Sequence, residues 1–331
     1  TIKGRGGMDA VIVKYDAELN FLWARAVGGS KDDTFERIAV TSAGDIVAVG
    51  KISGDITIDG TDQTLSGTQS TDGCIVVYDK DGNYKSSAQI KAAGASLCYS
   101  VAVDKSDNIF VTGSTVGATD FGNEKTVTIE GSNPGTFLAC YNNSLVCQWA
   151  IAGSSPVQSY GWAVNFDKEE NILLTGRFGT TFTITGTDGE ALTTAVGSES
   201  SQDTYVAKLS HEGVGRWITY VTNSNRIDTR SIDSDSQGNV YIWGHCQSAV
   251  TPEGQSPLGF NGNFDSFLIK YSSAGAYLDG MNLGGSGRDE AKSLFVDADD
   301  NIYVAGNVNG DGSKGGCLLY TSPSPRDGAT S

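Results

Sequence analysis

Five positions that are equivalent within an internal repeat but unlike in chemistry carry most of the binding potential of this sequence: Glu36, Tyr99, Trp162, Arg230 and Lys292. Positions that serve only structure keep one residue type in every copy, whereas a ligand breaks that symmetry. Two aromatics, two cations and one carboxylate converging would form a polar ligand site; the competing reading is five unrelated rim residues. The other candidates read more plainly. The two histidines, His211 and His245, occupy different repeat positions and read as solvated turn residues rather than as one catalytic or metal site. No G-x-S-x-G elbow, H-E-x-x-H helix or phosphate loop is present. Trp23, Trp149 and Trp217 are flat enough to stack on a sugar, but they recur at one strand position, which favours packing between repeats. Asp233-Ser-Asp235-Ser-Gln-Gly238 and Asp297-Ala-Asp299-Asp300 have the early spacing of a calcium loop. Both lack the later bidentate glutamate, and hairpin turns favour such residues in any case. No cofactor is therefore expected, with Ca²⁺ at these turns as the alternative.

The elements that must position these residues are short strands. Val101-Ala-Val-Asp-Lys-Ser-Asp-Asn-Ile-Phe-Val-Thr-Gly113 reads as strand, polar turn, strand, by the period-two alternation of its apolar residues. It recurs as Ile38–Gly50, Val164–Gly176, Ile232–Gly244 and Leu294–Gly306. The closing glycines are spaced by 63, 63, 68 and 62 residues, and so is the series Tyr15, Tyr78, Tyr141, Leu209, Tyr271 that ends the third strand. Two landmarks sharing one set of spacings identify a repeat. The tryptophan position of that repeat is filled by Ser86 and Asp279 in two copies. Each repeat holds four strands, with an insert between the second and third that reads as a variable loop; Ile56-Thr-Ile58 is a candidate short extra strand. The expected fold is all-β: a β-propeller of about five four-stranded blades with a period of 62–68 residues, either closed across its ends or a fragment of a larger ring. Residues 1–316 are assigned to the repeats. Residues 317–331, with two prolines in four positions and no strand pattern, read as a foreign or unpaired tail.

Met8-Asp-Ala-Val-Ile-Val-Lys-Tyr-Asp16, Leu22-Trp-Ala-Arg25, Gly28-Gly-Ser30 and Ala102-Val-Asp-Lys-Ser-Asp-Asn-Ile-Phe-Val-Thr-Gly113 resemble the SBBP-type bacterial β-propeller repeat. The resemblance covers roughly residues 8–306 and rests on the order and period of these words. It implies a secreted or surface-attached bacterial module, often one domain of a longer chain, and it implies no single activity.

Composition narrows the classes of partner. The net charge of −16, with no basic stripe, argues against nucleic acid and against docking to anionic lipid. No run approaches the ~18 apolar residues of a membrane helix. The six cysteines form no C-x-x-C pair, which argues against zinc. Cys140 and Cys147 flank a turn and read as buried thiols in preference to a disulfide. The sequence-based expectation is thus a non-catalytic extracellular or cell-surface binding module. Its glycan or protein ligand would sit at the channel mouth and blade loops. A propeller-fold polysaccharide lyase or glycoside hydrolase and a structural spacer in a large surface protein are the alternatives.

Overall fold

Alternation along each strand sets the architecture. In Ile46–Ser53 and Thr71–Tyr78, the even-numbered Ile46, Ala48, Ile52, Cys74, Val76 and Tyr78 pack with Ile12, Trp23 and Val27 of the preceding sheet. The odd-numbered Val47, Val49, Ile75 and Val77 pack with Cys98, Val101, Val111 and Phe137 of the following one. A sheet apolar on both faces needs a neighbour on each side, so repeats stack.

A computed structural model describes residues 2, 4–67, 70–195, 202–309 and 319–320. Among them there is no helix, and so none long and apolar enough to cross a membrane. The chain forms two compact units, residues 1–164 with 183–191 and residues 165–182 with 192–331. In the first unit Thr34–Val40, Ile46–Ser53, Thr71–Tyr78 and Tyr84–Ala92 pair antiparallel in that order. Ser96–Val103, Ile109–Thr115, Gly135–Tyr141 and Cys147–Ser154 repeat the arrangement. Ala10–Tyr15 and Phe21–Gly29 supply a third and fourth strand. In the second unit the pattern returns in Ile227–Ser234, Val240–Cys246, Asp265–Tyr271 and Tyr277–Leu283. Ile172–Phe178, Asp203–Leu209 and Gly215–Thr222 form strands two to four of another copy, and Glu290–Val296 with Ile302–Asn307 form strands one and two of the last. This is the β-propeller blade expected from the sequence.

The inserts differ from the expected loops. Ile56–Ile58 and Thr64–Leu65 form a hairpin that adds to Phe21–Gly29, the fourth strand of the preceding sheet. Gly117–Asp120 with Thr126–Ile129 does the same for Tyr84–Ala92. Thr181–Thr185 and Thr251–Pro252 likewise join Cys147–Ser154 and Gly215–Thr222. The physical reason is an unsatisfied edge: a fourth strand has N–H and C=O groups to pair, and the inserts carry apolar residues to bury. Ile56, Ile58, Phe121 and Ile184 are each at most 1% exposed.

The third-strand tyrosine takes one register throughout. Tyr78, Tyr141, Leu209 and Tyr271 lie opposite Ile46, Ile109, Ile172 and Val240. Tyr320 lies opposite Ile302 in the short strand Leu319–Tyr320. The tail expected over 317–331 otherwise lies outside the described residues. Cys74, Cys98, Cys140, Cys147 and Cys246 are buried free thiols, and burial pushes Cys140 and Cys147 up to about 12.

Candidate functional site

The closing glycine of the second strand explains where the candidate residues stand. Phe35 pairs with Gly50 and Arg37 with Val49, leaving Glu36 as the extra residue of a β-bulge. Tyr99, Arg230 and Lys292 are the extra residues opposite Gly113, Gly244 and Gly306. These candidates therefore lie within the first strand and interrupt its ladder. A bulge leaves one residue outside the ladder and re-aims its side chain. The bend also drives a first-strand carbonyl against the glycine. A Cβ on Gly50 or Gly113 would run into the carbonyl oxygen of Thr34 or Leu97, and one on Gly244 or Gly306 into that of Asp228 or Glu290.

In the first unit the bulge row gathers aromatic rings. Tyr99 lies 4.4 Å from Trp162 between ring centroids, and Tyr160 stacks on Trp162 at 5.6 Å with an interplanar angle of 14°. Tyr99 and Tyr160 are 6.4 Å apart. All three are half-buried. The Tyr99 hydroxyl accepts from Ser114 Oγ at 3.4 Å, and the Tyr160 hydroxyl donates to Gln158 Oε1 at 3.1 Å. Glu36 is exposed and accepts from Thr34 Oγ1 at 3.2 Å. Tyr160 was not singled out from the sequence, yet the alternation Tyr160-Gly-Trp162 puts it on the same face of the strand as a named candidate.

In the second unit the same row gathers charge. Arg226-Ile-Asp228-Thr-Arg230 and Arg288-Asp-Glu290-Ala-Lys292 each place a carboxylate between two cations at alternate positions. Asp228 is fully buried and accepts from Arg226 Nε at 2.8 Å and Arg177 Nη1 at 3.2 Å, with Arg230 at 3.7 Å. Glu290 accepts from Arg288 Nε at 2.6 Å and Lys292 Nζ at 2.8 Å. Those two cations hold the Glu290 carboxyl well below its usual range, at about 2. Arg230 and Lys292 thus stand beside acids that the sequence reading passed over.

His245 corrects the solvated-turn reading. It lies on the strand Val240–Cys246, is 4% exposed, and has Nε2 3.7 Å from Asp228. His211 is half-buried, in the turn after Asp203–Leu209. Trp23 and Trp217 pack on the next repeat: their Nε1 atoms donate to Lys80 O and Ser273 O at 3.2 and 3.1 Å, and their rings lie against Gly82 and Gly275. The acidic turns bind their own backbone. Asp235 Oδ1 accepts from Gln237 N and Asn239 N, and Asp297 Oδ1 from Asp299 N and Asn301 N. A cavity of about 930 Å³, lined by Val13, Tyr15, Phe21 and Trp23 among others, holds none of the five candidates.

Residues 87–122 match the family described as SBBP, β-propeller repeat. The chain carries an SBBP-type β-propeller repeat. An uncharacterised WD repeat-containing protein of Acanthamoeba polyphaga mimivirus is 23% identical over 369 aligned positions, which cover 92% of this chain and 27% of that protein. The chain therefore spans about a quarter of the length of that relative. Among solved structures, a protein of unknown function from Bacteroides caccae is 12% identical with a TM-score of 0.34, covering 82% of this chain and 93% of that one. The extracellular domain of a one-component system of B. thetaiotaomicron is 13% identical with a TM-score of 0.20, covering 90% and 51%.

Proposed function

We propose that this SBBP-type chain is a non-catalytic binding module at the bacterial cell surface that takes a neutral glycan on Tyr99, Tyr160 and Trp162. The observation that carries the reading is the contact between three aromatic rings from first strands of successive repeats, each half-open to solvent. Rings offer a pyranose face a flat apolar surface with a negative π cloud, and tyrosine hydroxyls add hydrogen bonds at the edge. The bulge at Tyr99 sets that ring outside the ladder, so binding asks nothing of the backbone. The acidic surface and the family resemblance support the location, and the WD repeat in the mimiviral relative supports an interaction role. Binding is favoured over hydrolysis or lysis because Asp228 and Glu290, the carboxylates two residues before the bulge positions Arg230 and Lys292, are each engaged by two or more cations.

Isothermal titration of a panel of cello-, xylo-, manno- and chito-oligosaccharides tests the reading. At least one binds, and Trp162→Ala weakens it roughly tenfold or more, the loss expected from removing an aromatic worth about 1.4 kcal/mol. Unchanged affinity in Trp162→Ala and Tyr99→Ala would end the proposal.

A further inference from the structure

We propose that the second unit holds a separate site for a hexuronic-acid residue of an acidic polysaccharide, built around Arg288 and Phe264. The site does not rest on the aromatic cluster of the first unit. A cavity of about 420 Å³ is lined by Asn225, Gln247, Gly262, Asn263, Phe264 and Arg288. That volume lies within the roughly 300–1,000 Å³ of small-molecule sites.

The frame is rigid. Phe264 N and Asn263 N donate to Gly287 O, and Asp289 N donates to Phe264 O, tying the segment before the third strand to the start of the next repeat. Gln247 N donates to Arg226 O, and Asn223 Nδ2 donates to the same oxygen at 2.6 Å. The lining groups are arranged on that frame. The Arg288 guanidinium lies over the Phe264 ring, 4.3 Å from its centroid, while His245 stands 5.8 Å from the same ring. A stacked guanidinium presents its N–H groups edgewise. Of its five N–H donors, that of Nε and one of Nη2 face Glu290, leaving the Nη1/Nη2 end for a second carboxylate. Among the described residues no hydrogen bond engages the side-chain amides of Asn225, Gln247 and Asn263. Three amides offer donors and acceptors suited to sugar hydroxyls, and Phe264 offers the apolar floor.

Arg288, the charged residue of the lining, favours an anion. Arg177, Arg226, Arg230, Arg288 and Lys292 stand against Asp228 and Glu290, a local sum of +3. The buried carboxylates Asp203, Asp265 and Asp289, which accept backbone N–H bonds, bring it to zero. The whole chain carries −16, so this region is neutral within an acidic chain, and Arg288 puts a cation at the cavity wall. A uronate satisfies both halves of the lining at once: its carboxylate meets Arg288 and its hydroxyls meet the amides.

The test is titration calorimetry of the full chain with trigalacturonate, a neutral galactose trimer and sodium sulfate. Trigalacturonate binds, the neutral trimer binds at least tenfold more weakly, and Arg288→Gln and Asn263→Ala each cost about tenfold while circular dichroism stays native. Retention of affinity within twofold in both variants overturns the site, as does equal binding of the neutral trimer. Full displacement by equimolar sulfate overturns the saccharide assignment. Trp162→Ala leaves uronate binding intact; if that variant alone abolished it, the ligand would belong to the aromatic cluster and the uronate site would fall while the glycan reading stood.

Discussion

His245 shows how far burial changes a side chain's chemistry. It sits beside Asp228, which favours its cation, yet desolvation and the nearby Arg230 push its pKa down to about 4. The neutral imidazole is therefore the native form at neutral pH. In the unfolded chain the group titrates near its ordinary ~6.5. Between those values the unfolded state binds more protons, so this group's contribution to stability is complete above pH ~6.5 and is lost as pH falls toward 4. The ring signals of His245 should titrate with a midpoint near 4 by NMR. His245→Gln should flatten the pH dependence of unfolding between pH 6.5 and 4, relative to the parent chain. A midpoint near 6.5 would mean the ring is solvated after all. That reading was the natural one from sequence, because the partners that bury the imidazole lie far off in the chain: Asp228 across the strand pair and Phe264 in the next insert. Tyr160 is the opposite case. Its alternation with Trp162 was on the page, but only contact with Tyr99 gave it meaning.

At the scale of the strand, the glycine that served as a repeat landmark turns out to be a consequence of the bulge opposite it. Sequence shows the glycine and the unlike residue separately. It does not show that they face each other, since pairing register is a property of two strands. In Gly113→Ala the new methyl would meet the Leu97 carbonyl oxygen and Phe137 Cε1, so the bulge must flatten or the sheet must shift. Overpacking of this kind costs about 1–3 kcal/mol. Gly259→Ala, where nothing lies within 4 Å, should stay within about 0.5 kcal/mol. Urea unfolding midpoints at unchanged slope make the comparison, and equal midpoints would remove the carbonyl contact as the reason for the glycine. The insert hairpins were legible only in outline. Ile56-Thr-Ile58, Thr126-Val-Thr-Ile129 and Thr181-Phe-Thr-Ile184 share a Thr–apolar alternation. Strands of two to five residues are too short for that signal to stand out without the edge they complete.

Across the whole molecule the repeat was readable because two landmarks kept one spacing, and both proved to be register positions of the same sheet. The acidity of the chain is a different kind of whole-molecule property, and it separates two readings of the repeated turns. Asp16, Asp79, Asp104, Asp167, Asp235 and Asp297 each accept backbone N–H groups two and four residues on. The amides of Asn20, Asn83 and Asn301 further hold Asp16, Asp79 and Asp297 below the usual carboxylate range. A calcium ion would have to displace those donors before it could use the same oxygens. Self-repulsion from a net −16, by contrast, is relieved by any salt through screening. Sodium chloride should therefore raise Tm, and calcium and magnesium chlorides at one ionic strength should raise it equally. An added increment with calcium alone, abolished in Asp297→Asn, would put an ion at Asp297–Asp300 and overturn the account of these turns as self-satisfied.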